Sequence, residues 1–424
     1  MMKIALTHMS HDVNRGDFAI LAATHDALRG QANSVSITAV SVELQDRGLD
    51  NIKETELTQK LGCSVVGTPT PSKRYFRGRT WRWILRLVWA EIVALLAIVF
   101  GRRTFVLLPR DTRAFITTLD DADLVVAKGG SYLYAMGGVR ELLYLWRMLY
   151  PIRVAKMLGP RVVLLGISIG EFRSFGSRRL AQAVLGRGVE LYVREQWSLD
   201  SARKQLHVPD GSVRMIPDLA FLTPFQGLKV TTDTATVEGG VTISVTVRLH
   251  SFAKGGVAQA RDRYVSATAD ALRRLLDDGD AAKVLFVPQV DEDAPLAREI
   301  AARIKRPKAV DVVEMQPDLD ALLAMYASSD VLLGARLHSV ILAAVVGVPA
   351  VHVVNEPSKS CGTLELLDMA EFGILYEDVT ADKLVQLIRH IIDHRAQIGG
   401  ALAERVDGLR AEAKRVVADV LSHD

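Results

Sequence analysis

The sequence predicts an α/β protein with two doubly wound, mostly parallel sheets, one in each of two domains that face each other across a cleft. Three observations support this prediction. The chain has 424 residues, which is too many for one ordinary hydrophobic core. Short apolar runs alternate with segments of helical periodicity, as in parallel sheets covered by helices. This alternation lapses between Leu222 and Gly240 and then begins again.

The first domain is predicted over residues 1–225, where the alternation is visible from the start. Short apolar runs predict strands at residues 3–7, 35–42, 123–127, 161–166, 190–193 and 213–216. Helical periodicity predicts helices at 18–28, after Gly138, and at 199–206, with Ser198 as the N-cap of the last one. Because strands and helices alternate, the strands are expected to lie parallel.

The second domain is predicted over residues 241–390, after a linker at 226–240 that shows no periodicity. Strands are predicted at residues 241–247, 283–287, 330–333 and 350–354. Helices are predicted at residues 257–277, 293–303, 319–328 and 342–346. The last part of the chain, residues 391–424, is predicted to be a helical tail.

The composition is that of a globular protein, and it argues against several classes of function. Hydrophobic residues make up 49% and charged residues 24% of the chain, and the net charge of +3 is too small to predict a nucleic-acid partner. Cys63 and Cys361 lie far apart, so neither a disulfide framework nor a metal site is expected. The N-terminus has a strand pattern rather than a signal-peptide pattern, which predicts a cytoplasmic protein.

Residues 71–113 form a basic insert in the first domain that surrounds an apolar stretch. Ten basic residues stand against two acidic ones, Glu91 and Asp111. The apolar stretch at 87–100 is shorter than the roughly 20 residues that cross a bilayer. Trp81, Trp83 and Trp89 lie near its start. The insert is either a buried helical hairpin with solvated arginines, or a helix lying in the surface of an anionic cytoplasmic leaflet.

Gly334–Ile341, with the sequence GARLHSVI, is the most informative candidate site. It follows the strand predicted at 330–333 and leads into the helix predicted at 342–346. In doubly wound sheets ligands bind at the carboxyl ends of strands, and the amino end of a helix attracts anions. Arg336 therefore predicts binding of a carboxylate or phosphate, and His338 predicts proton transfer near neutral pH. The alternative is a chance Arg and His in a loop.

Other polar and glycine residues also follow predicted strands. Asn14 and Asp17 precede the first helix, where they either cap it or line a ligand site. Gly129 and Gly130 follow a strand and predict either a tight turn or close approach to a ligand. The basic residues near strand ends are Arg194, Arg248 and Lys359, for which surface ion pairs are the alternative.

Gly166-Ile-Ser168-Ile-Gly170 matches the Gly-x-Ser-x-Gly pattern of the nucleophile elbow of hydrolases. An elbow needs a helix immediately after it, and residues 171–176 show no clear apolar helical face. The preferred interpretation is therefore a glycine-flanked loop that lines the cleft and contains Ser168.

Taken together, these motifs resemble those of the polysaccharide pyruvyl transferase family. Residues 14–17 match its Asn-x-Gly-Asp, 129–130 its Gly-Gly, and 166–171 its Gly-Gln-Ser-Ile-Gly-Pro loop. Residues 194–198 match Arg-Glu-x-x-Ser, 218–221 match Asp-x-Ala-Phe, and 336–338 match Arg-Leu-His. Residues 347–349 match Gly-x-Pro, and 355–359 match Tyr-x-x-x-Lys with Asn355 in the aromatic position. The matches keep the family's order over residues 3–362.

The resemblance implies a GT-B-like protein with two Rossmann-like domains that transfers pyruvyl from phosphoenolpyruvate to a glycan as a ketal. It implies His338 as the catalytic residue, and Arg336, Arg194 and Lys359 as donor-binding residues. The residues implied for the acceptor side are Asn14, Asp17, Gly129, Gly130 and Ser168. Phosphoenolpyruvate is the co-substrate, and no cofactor or metal is implied. The insert at 71–113 would suit a lipid-linked acceptor at the inner face of the membrane.

Two other functions stay open at this point. A sugar-nucleotide glycosyltransferase of the same architecture would use its cations to bind a diphosphate. A non-catalytic relative that binds a glycan or a membrane partner would fit Ile167 and Glu171, which replace the family's Gln and Pro. The retained Arg336 and His338 argue against that second alternative.

Overall fold

The computed structural model describes residues 1–9, 14–31, 35–42, 61–70, 80–225, 240–249, 257–316, 318–355 and 357–422. The predicted linker, apart from Gly240, and residues 71–79 of the basic insert lie outside these ranges. Within them the chain forms two sheets, and the paired strands are parallel. The prediction of an α/β protein with two parallel sheets is confirmed. The chain divides into two compact units, each with one sheet.

Unit 1 consists of Met1–Asp12, Ile20–Leu222 and Glu412–Asp424. Its strands are β1 (Met2–Met9), β2 (Val35–Ser41), β3 (Ser64–Gly67), β4 (Leu124–Ala135), β5 (Arg161–Phe172), β6 (Glu190–Val193) and β7 (Val213–Met215). They lie in the order β3-β2-β1-β4-β5-β6-β7. This is the order of doubly wound nucleotide-binding sheets with one added strand, and its switch point lies between β1 and β4.

The helices of the first half of the chain follow these strands. They are α1 (Arg15–Gln31), α2 (Thr80–Phe100), α3 (Arg110–Asp120), α4 (Val139–Leu158), α5 (Phe175–Leu185) and α6 (Gln196–Lys204). The central strands are buried along most of their length, including residues 4–9 of β1 and 124–130 of β4. Such two-sided burial accounts for the continuous apolar runs in the sequence.

Unit 2 consists of Val13–Ala19 and Thr223–Ala411. Its strands are β8 (Thr242–Thr246), β9 (Lys283–Phe286), β10 (Val310–Val312), β11 (Val331–Gly334), β12 (Ala350–Val354) and β13 (Gly373–Leu375). The order β10-β9-β8-β11-β12-β13 repeats the topology of unit 1, so the switch point lies between β8 and β11. The helices are α7 (Val257–Asp277), α8 (Asp293–Ile304), α9 (Leu319–Ala327), α10 (Leu337–Val345), α11 (Pro357–Leu366), α12 (Ala381–Asp393) and α13 (Arg395–Ser422).

Two short segments belong to a different unit from the one predicted for them. The first turn of α1 belongs to unit 2, where Arg15 donates a hydrogen bond from Nη2 to the carbonyl of Gln316 (2.9 Å). The end of α13 belongs to unit 1, where Arg161 donates from Nη1 to the carbonyl of Val420 (2.5 Å). Residues 391–424 therefore do not form a separate tail.

Two predicted loops are parts of strands. β4 continues through Gly129 and Gly130 to Ala135, and β5 continues through Ser168 to Phe172. A Cβ placed on Gly129 would lie 2.6 Å from the carbonyl oxygen of Gly166. Glycine is therefore required here because the two strands approach closely, not because the chain turns. The hydrolase interpretation is excluded, since Ser168 is on a strand and not on a strand-to-helix elbow.

Helix α2 contains the apolar stretch of the basic insert and is longer than that stretch. Among the residues that the structure describes, it is the one helix long and apolar enough to cross a bilayer, by length and composition alone. One face is buried in unit 1 through Trp83, Leu87 and Ala90. The opposite face, with Trp89 and Leu96, is about half exposed. The interpretation as a buried hairpin thus accounts for only one side of this helix.

Candidate functional site

The strongest candidate site lies where β11 ends and α10 begins, next to the switch point of the second sheet. Arg336 is the N-cap residue of α10 and His338 lies in its first turn, so the helix begins earlier than the predicted residue 342. Ser339 fixes this turn, because its Oγ donates to the carbonyl of Arg336 (2.6 Å) and lies 2.7 Å from Thr246 Oγ1. The placement of Arg336 and His338 at a strand end and a helix start is therefore as predicted.

Gly16 packs directly against the ring of His338 in unit 2. A Cβ placed on Gly16 would lie 2.6 Å from both Cβ and Nδ1 of His338. The local fold of α1 brings this glycine into place. Asn14 accepts a hydrogen bond at Oδ1 from the Gly16 amide (3.2 Å) and donates one from Nδ2 to Oδ2 of Asp17 (2.7 Å). Asn14 and Asp17 thus form the start of α1, and their element meets the Arg-Leu-His element at His338.

We expect Gly16→Ala to push the start of α1 away from His338 and so to change the position of the imidazole. The helical backbone accepts alanine, but the new methyl group would lie 2.6 Å from both Cβ and Nδ1 of His338, so rotation of the ring alone cannot make room for it. A displacement of about 1 Å at a catalytic group costs on the order of 100-fold in kcat. Gly30→Ala in the same helix is the matched control, because nothing lies within 4 Å of its added Cβ. Equal kcat values for the two variants would show that the contact between Gly16 and His338 does not matter for activity.

Arg336 is held in place by Asp293, the first residue of α8. Its Nε donates to Asp293 Oδ2 (2.7 Å) and its Nη2 donates to Oδ1 (2.6 Å). The Asp293 side chain is only 3% exposed, whereas that of Arg336 is 17% exposed. Asp293 Oδ2 also accepts hydrogen bonds from the amides of Gln289 and Val290. A paired carboxylate therefore fixes the guanidinium at the rim of the site.

Asp293 is a functional candidate that the sequence analysis missed. It follows β9 within the run Gln289-Val-Asp-Glu-Asp293, and this polar cluster after a strand was an available signal. The contacts of the two remaining basic candidates, Arg248 and Lys359, are less well defined. Arg248 follows β8, and Lys359 lies in α11 with a side chain outside the described part of the structure. Asn355 supports the backbone that precedes Arg336, because its Nδ2 donates to the carbonyl of Ala335 (2.8 Å).

The remaining motif residues converge on Arg194 in unit 1. Its Nε donates to Ser168 Oγ (2.7 Å), its Nη2 donates to Ser131 Oγ (2.8 Å), and its Nη1 forms an ion pair with Asp218. Ser131 is on β4, Ser168 is on β5, and Asp218 follows β7. Arg194 is only 4% exposed, which excludes the surface ion pair given as its alternative. The arrangement favours a role in positioning these strands over a direct contact with the donor.

Ser198 belongs to the same cluster but does not cap its helix as predicted. Helix α6 begins at Gln196 after the N-cap residue Glu195, so Ser198 lies in the first turn. Its Oγ accepts a hydrogen bond from the amide of Ile169 (2.7 Å) and donates one to Oε1 of Glu195 (2.5 Å). The Arg-Glu-x-x-Ser element therefore joins α6 to β5.

Two fully buried histidines lie near the two switch points, and no motif in the sequence singles them out. His8 is the second-last residue of β1 and stacks on Tyr132, and its Nε2 lies 2.7 Å from the carbonyl of Met148. His352 is on β12, with Nδ1 at 2.7 Å from the carbonyl of Gly334. Burial lowers the pKa of each imidazole to about 4, with further lowering by Lys128 at His8 and by Arg248 at His352. Both rings are therefore neutral at pH 7.

These histidines predict a loss of stability in mild acid. Their pKa in the folded chain is about 4, against 6.5 for the free side chain, so the unfolded chain binds more protons between these values. The free energy of unfolding should fall as the pH drops from 6.5 to 4, by at most about 3 kcal/mol per histidine. Urea unfolding across this range measures the effect. His8→Gln and His352→Gln should each flatten the curve, whereas His394→Gln, at an exposed histidine, should not.

Two sequence comparisons bear on these residues. Residues 14–357 match a sequence model whose description is polysaccharide pyruvyl transferase. This range includes all the candidate site residues except Lys359. The chain is also 24% identical over 444 residues to the amylovoran biosynthesis protein AmsJ of Erwinia amylovora, and the likeness covers 99% of each chain.

Several solved structures have a similar fold, and the similarity covers nearly the whole chain. The UDP-GlcNAc 2-epimerase of Methanocaldococcus jannaschii has a TM-score of 0.59 at 11% identity and full coverage of both chains. A glycosyltransferase of Rickettsia africae has a TM-score of 0.56 at 13% identity, covering 100% of this chain and 99% of that one. Anabaena HepE, solved with UDP and glucose, has a TM-score of 0.55 at 12% identity, covering 100% and 98%. These likenesses confirm the two Rossmann-like domains of a GT-B-like fold.

Proposed function

This chain belongs to the polysaccharide pyruvyl transferase family, and we propose that it transfers pyruvyl from phosphoenolpyruvate to a sugar of a glycan, forming a ketal. The observation that carries the proposal is the contact between Gly16 and His338. It brings two elements from distant parts of the sequence together around one imidazole.

The proposed donor site lies at the amino end of α10. Phosphoenolpyruvate carries a carboxylate and a phosphate, and backbone N–H groups at a helix start bind such anions. Arg336 adds a guanidinium whose direction is set by the bidentate pair with Asp293. We assign the donor to these groups, with Lys359 as a further cation. Arg194 is assigned the positioning of β4, β5 and the segment after β7 in unit 1.

His338 is assigned the proton transfer that the reaction requires. The methylene carbon of phosphoenolpyruvate must gain a proton, and phosphate must leave from an oxocarbenium-like centre. Each sugar hydroxyl that attacks this centre must lose its proton. An imidazole can donate the first proton or accept one from a hydroxyl. The close packing against Gly16 limits the positions that the ring can take.

The acceptor is proposed to be a glycan built in the cytoplasm. Asn14 and Asp17 flank Gly16, which packs against His338, and their amide and carboxylate are proposed to bind sugar hydroxyls. Gly129, Gly130 and Ser168 of unit 1 are proposed for the acceptor side. Gly129 packs against the carbonyl of Gly166, and Ser168 accepts a hydrogen bond from Arg194. A lipid-linked saccharide is the acceptor class that suits a protein working at the inner face of a membrane.

Ligand-induced thermal stabilisation separates the proposed donor from its alternatives. Saturating phosphoenolpyruvate is expected to raise the Tm by about 5 °C, whereas UDP-glucose and UDP-GlcNAc are expected to leave it unchanged. Inorganic phosphate and pyruvate serve as controls for simple anion binding. Stabilisation by a UDP-sugar alone would indicate a glycosyltransferase. Stabilisation by none of these compounds, together with glycan binding, would indicate a non-catalytic relative.

A further inference from the structure

Helix α2 presents an apolar surface that the rest of unit 1 does not cover. We define the apolar face of α2 as the side chains of Trp81, Leu85, Val88, Trp89, Ile92, Leu95, Leu96, Val99 and Phe100. Their exposed fractions range from 39% at Val88 to 74% at Val99. The members recur at spacings of three and four residues, so they lie on one side of the helix. A continuous exposed surface of this kind marks an interaction site in a monomeric protein.

The opposite side of α2 is firmly packed in unit 1. Ala90, Ala94 and Ala97 belong to the same buried cluster as Leu145 and Leu149 of α4. Tyr150 on α4 also donates a hydrogen bond from its hydroxyl to the carbonyl of Ala90 (3.1 Å). A helix that crossed a bilayer would have to give up these contacts. The packing therefore places α2 on the protein surface, with its apolar face directed outward.

The charges around the apolar face have one predominant sign. The only acidic residue of α2, Glu91, forms an ion pair with Arg153 of α4 and is only 20% exposed. Arg82 is exposed, and its guanidinium lies 5.2 Å from the ring centroid of Trp81. Four more basic residues immediately precede the helix in the sequence: Lys73, Arg74, Arg77 and Arg79.

The apolar surface continues beyond the end of α2. Val106 and Leu107, in the short 3-10 helix Arg102–Leu107, are 65% and 81% exposed. Arg113 supports this turn, because its Nη2 donates to the carbonyls of Val106 (2.6 Å) and Leu108 (3.0 Å). Arg113 is itself exposed, so a cation lies beside the apolar tip.

We propose that the apolar face of α2 lies in the surface of an anionic lipid bilayer, with the helix parallel to the membrane. Trp81 and Trp89 lie at the depth of the headgroups, and the surrounding arginines contact lipid phosphates. The combination of an aromatic apolar face and a basic rim fits lipid rather than a second copy of this chain. Two copies joined through this face would bring their arginines against each other, whereas anionic headgroups neutralise them. This binding does not depend on which group the enzyme transfers.

Vesicle sedimentation of the full chain tests this surface. The protein is expected to pellet with phosphatidylcholine vesicles that contain about one-third phosphatidylglycerol, and to bind pure phosphatidylcholine at least about tenfold more weakly. The double variant Leu85→Glu/Leu96→Glu should lose binding to the anionic vesicles by a similar factor. The matched control is Leu249→Glu/Leu375→Glu, which makes the same changes at leucines of similar exposure in unit 2. The control should bind as the unchanged protein does.

A second measurement does not rely on charged substitutions. Tryptophan fluorescence should be quenched by lipids brominated near the headgroup, and Trp81→Phe/Trp89→Phe should lose most of this quenching. Equal sedimentation with and without vesicles would overturn the proposal. So would a stable dimer that Leu85→Glu/Leu96→Glu separates while vesicles have no effect. Retention in membranes after extraction with alkaline carbonate would show a spanning helix and would also overturn it.

Discussion

His338→Ala is expected to abolish phosphate release from phosphoenolpyruvate in the presence of acceptor. Loss of a general acid–base group lowers the rate by about 100- to 10,000-fold. Donor binding should survive, because Arg336, Asp293 and the start of α10 do not depend on the imidazole for their contacts. The expected pattern is thus a large fall in kcat with little change in the stabilisation by phosphoenolpyruvate. Phosphate release and thermal stabilisation measure the two effects separately.

His394→Ala is the control for His338→Ala, because His394 is an exposed histidine at the end of α12. It should keep full activity. His338→Gln provides a second comparison, since glutamine keeps hydrogen bonding but cannot transfer a proton near neutral pH. If His338→Ala turned over at the normal rate, the assignment of proton transfer would be wrong, although donor stabilisation would still identify the substrate.

Much of the fold could be predicted because parallel strands that are buried on both faces appear in the sequence as continuous apolar runs. Residues 350–354 and 257–277 were predicted with the bounds that the structure has, since an apolar run or a long amphipathic period defines each of them. The wrong predictions lie where a contact with a distant strand outweighs the local preference of the sequence. For Gly129 and Gly130 the sequence left a tight turn and close approach to a ligand as alternatives, yet both residues continue β4 because β5 passes within contact of Gly129.

The candidate site could be predicted in its residues but not in their partners. Arg336 and His338 were identified because a strand and a helix flank them in the sequence. The contact between Gly16 and His338 joins the two ends of the site across most of the chain, and no local pattern encodes it. The same holds for Asp293 with Arg336 and for Asp218 with Arg194. Pairing of this kind follows from sheet topology, which single-strand patterns do not specify.

Arg194→Met is expected to destabilise unit 1 severely. The side chains of Arg194 and Asp218 are 3% and 4% exposed, so the substitution would leave a buried carboxylate without its cation. Loss of one partner of a buried ion pair costs about 3–5 kcal/mol, which corresponds to a fall in Tm of about 10 °C. Arg203→Met is the matched control on the neighbouring helix α6. Its ion pair with Asp210 is exposed, and its loss should cost less than about 1 kcal/mol.

The double variant Arg194→Met/Asp218→Asn separates a positioning role of Arg194 from a direct donor contact. If the ion pair mainly holds the strands, the added Asp218→Asn should restore part of the stability, because it removes the uncompensated charge. A positioning role also predicts that kcat falls in both variants while the KM for phosphoenolpyruvate changes little. A stable Arg194→Met protein with a raised KM and a normal kcat would contradict this role. It would return Arg194 to the donor-binding residues, since only a cation in contact with the substrate would act on binding alone.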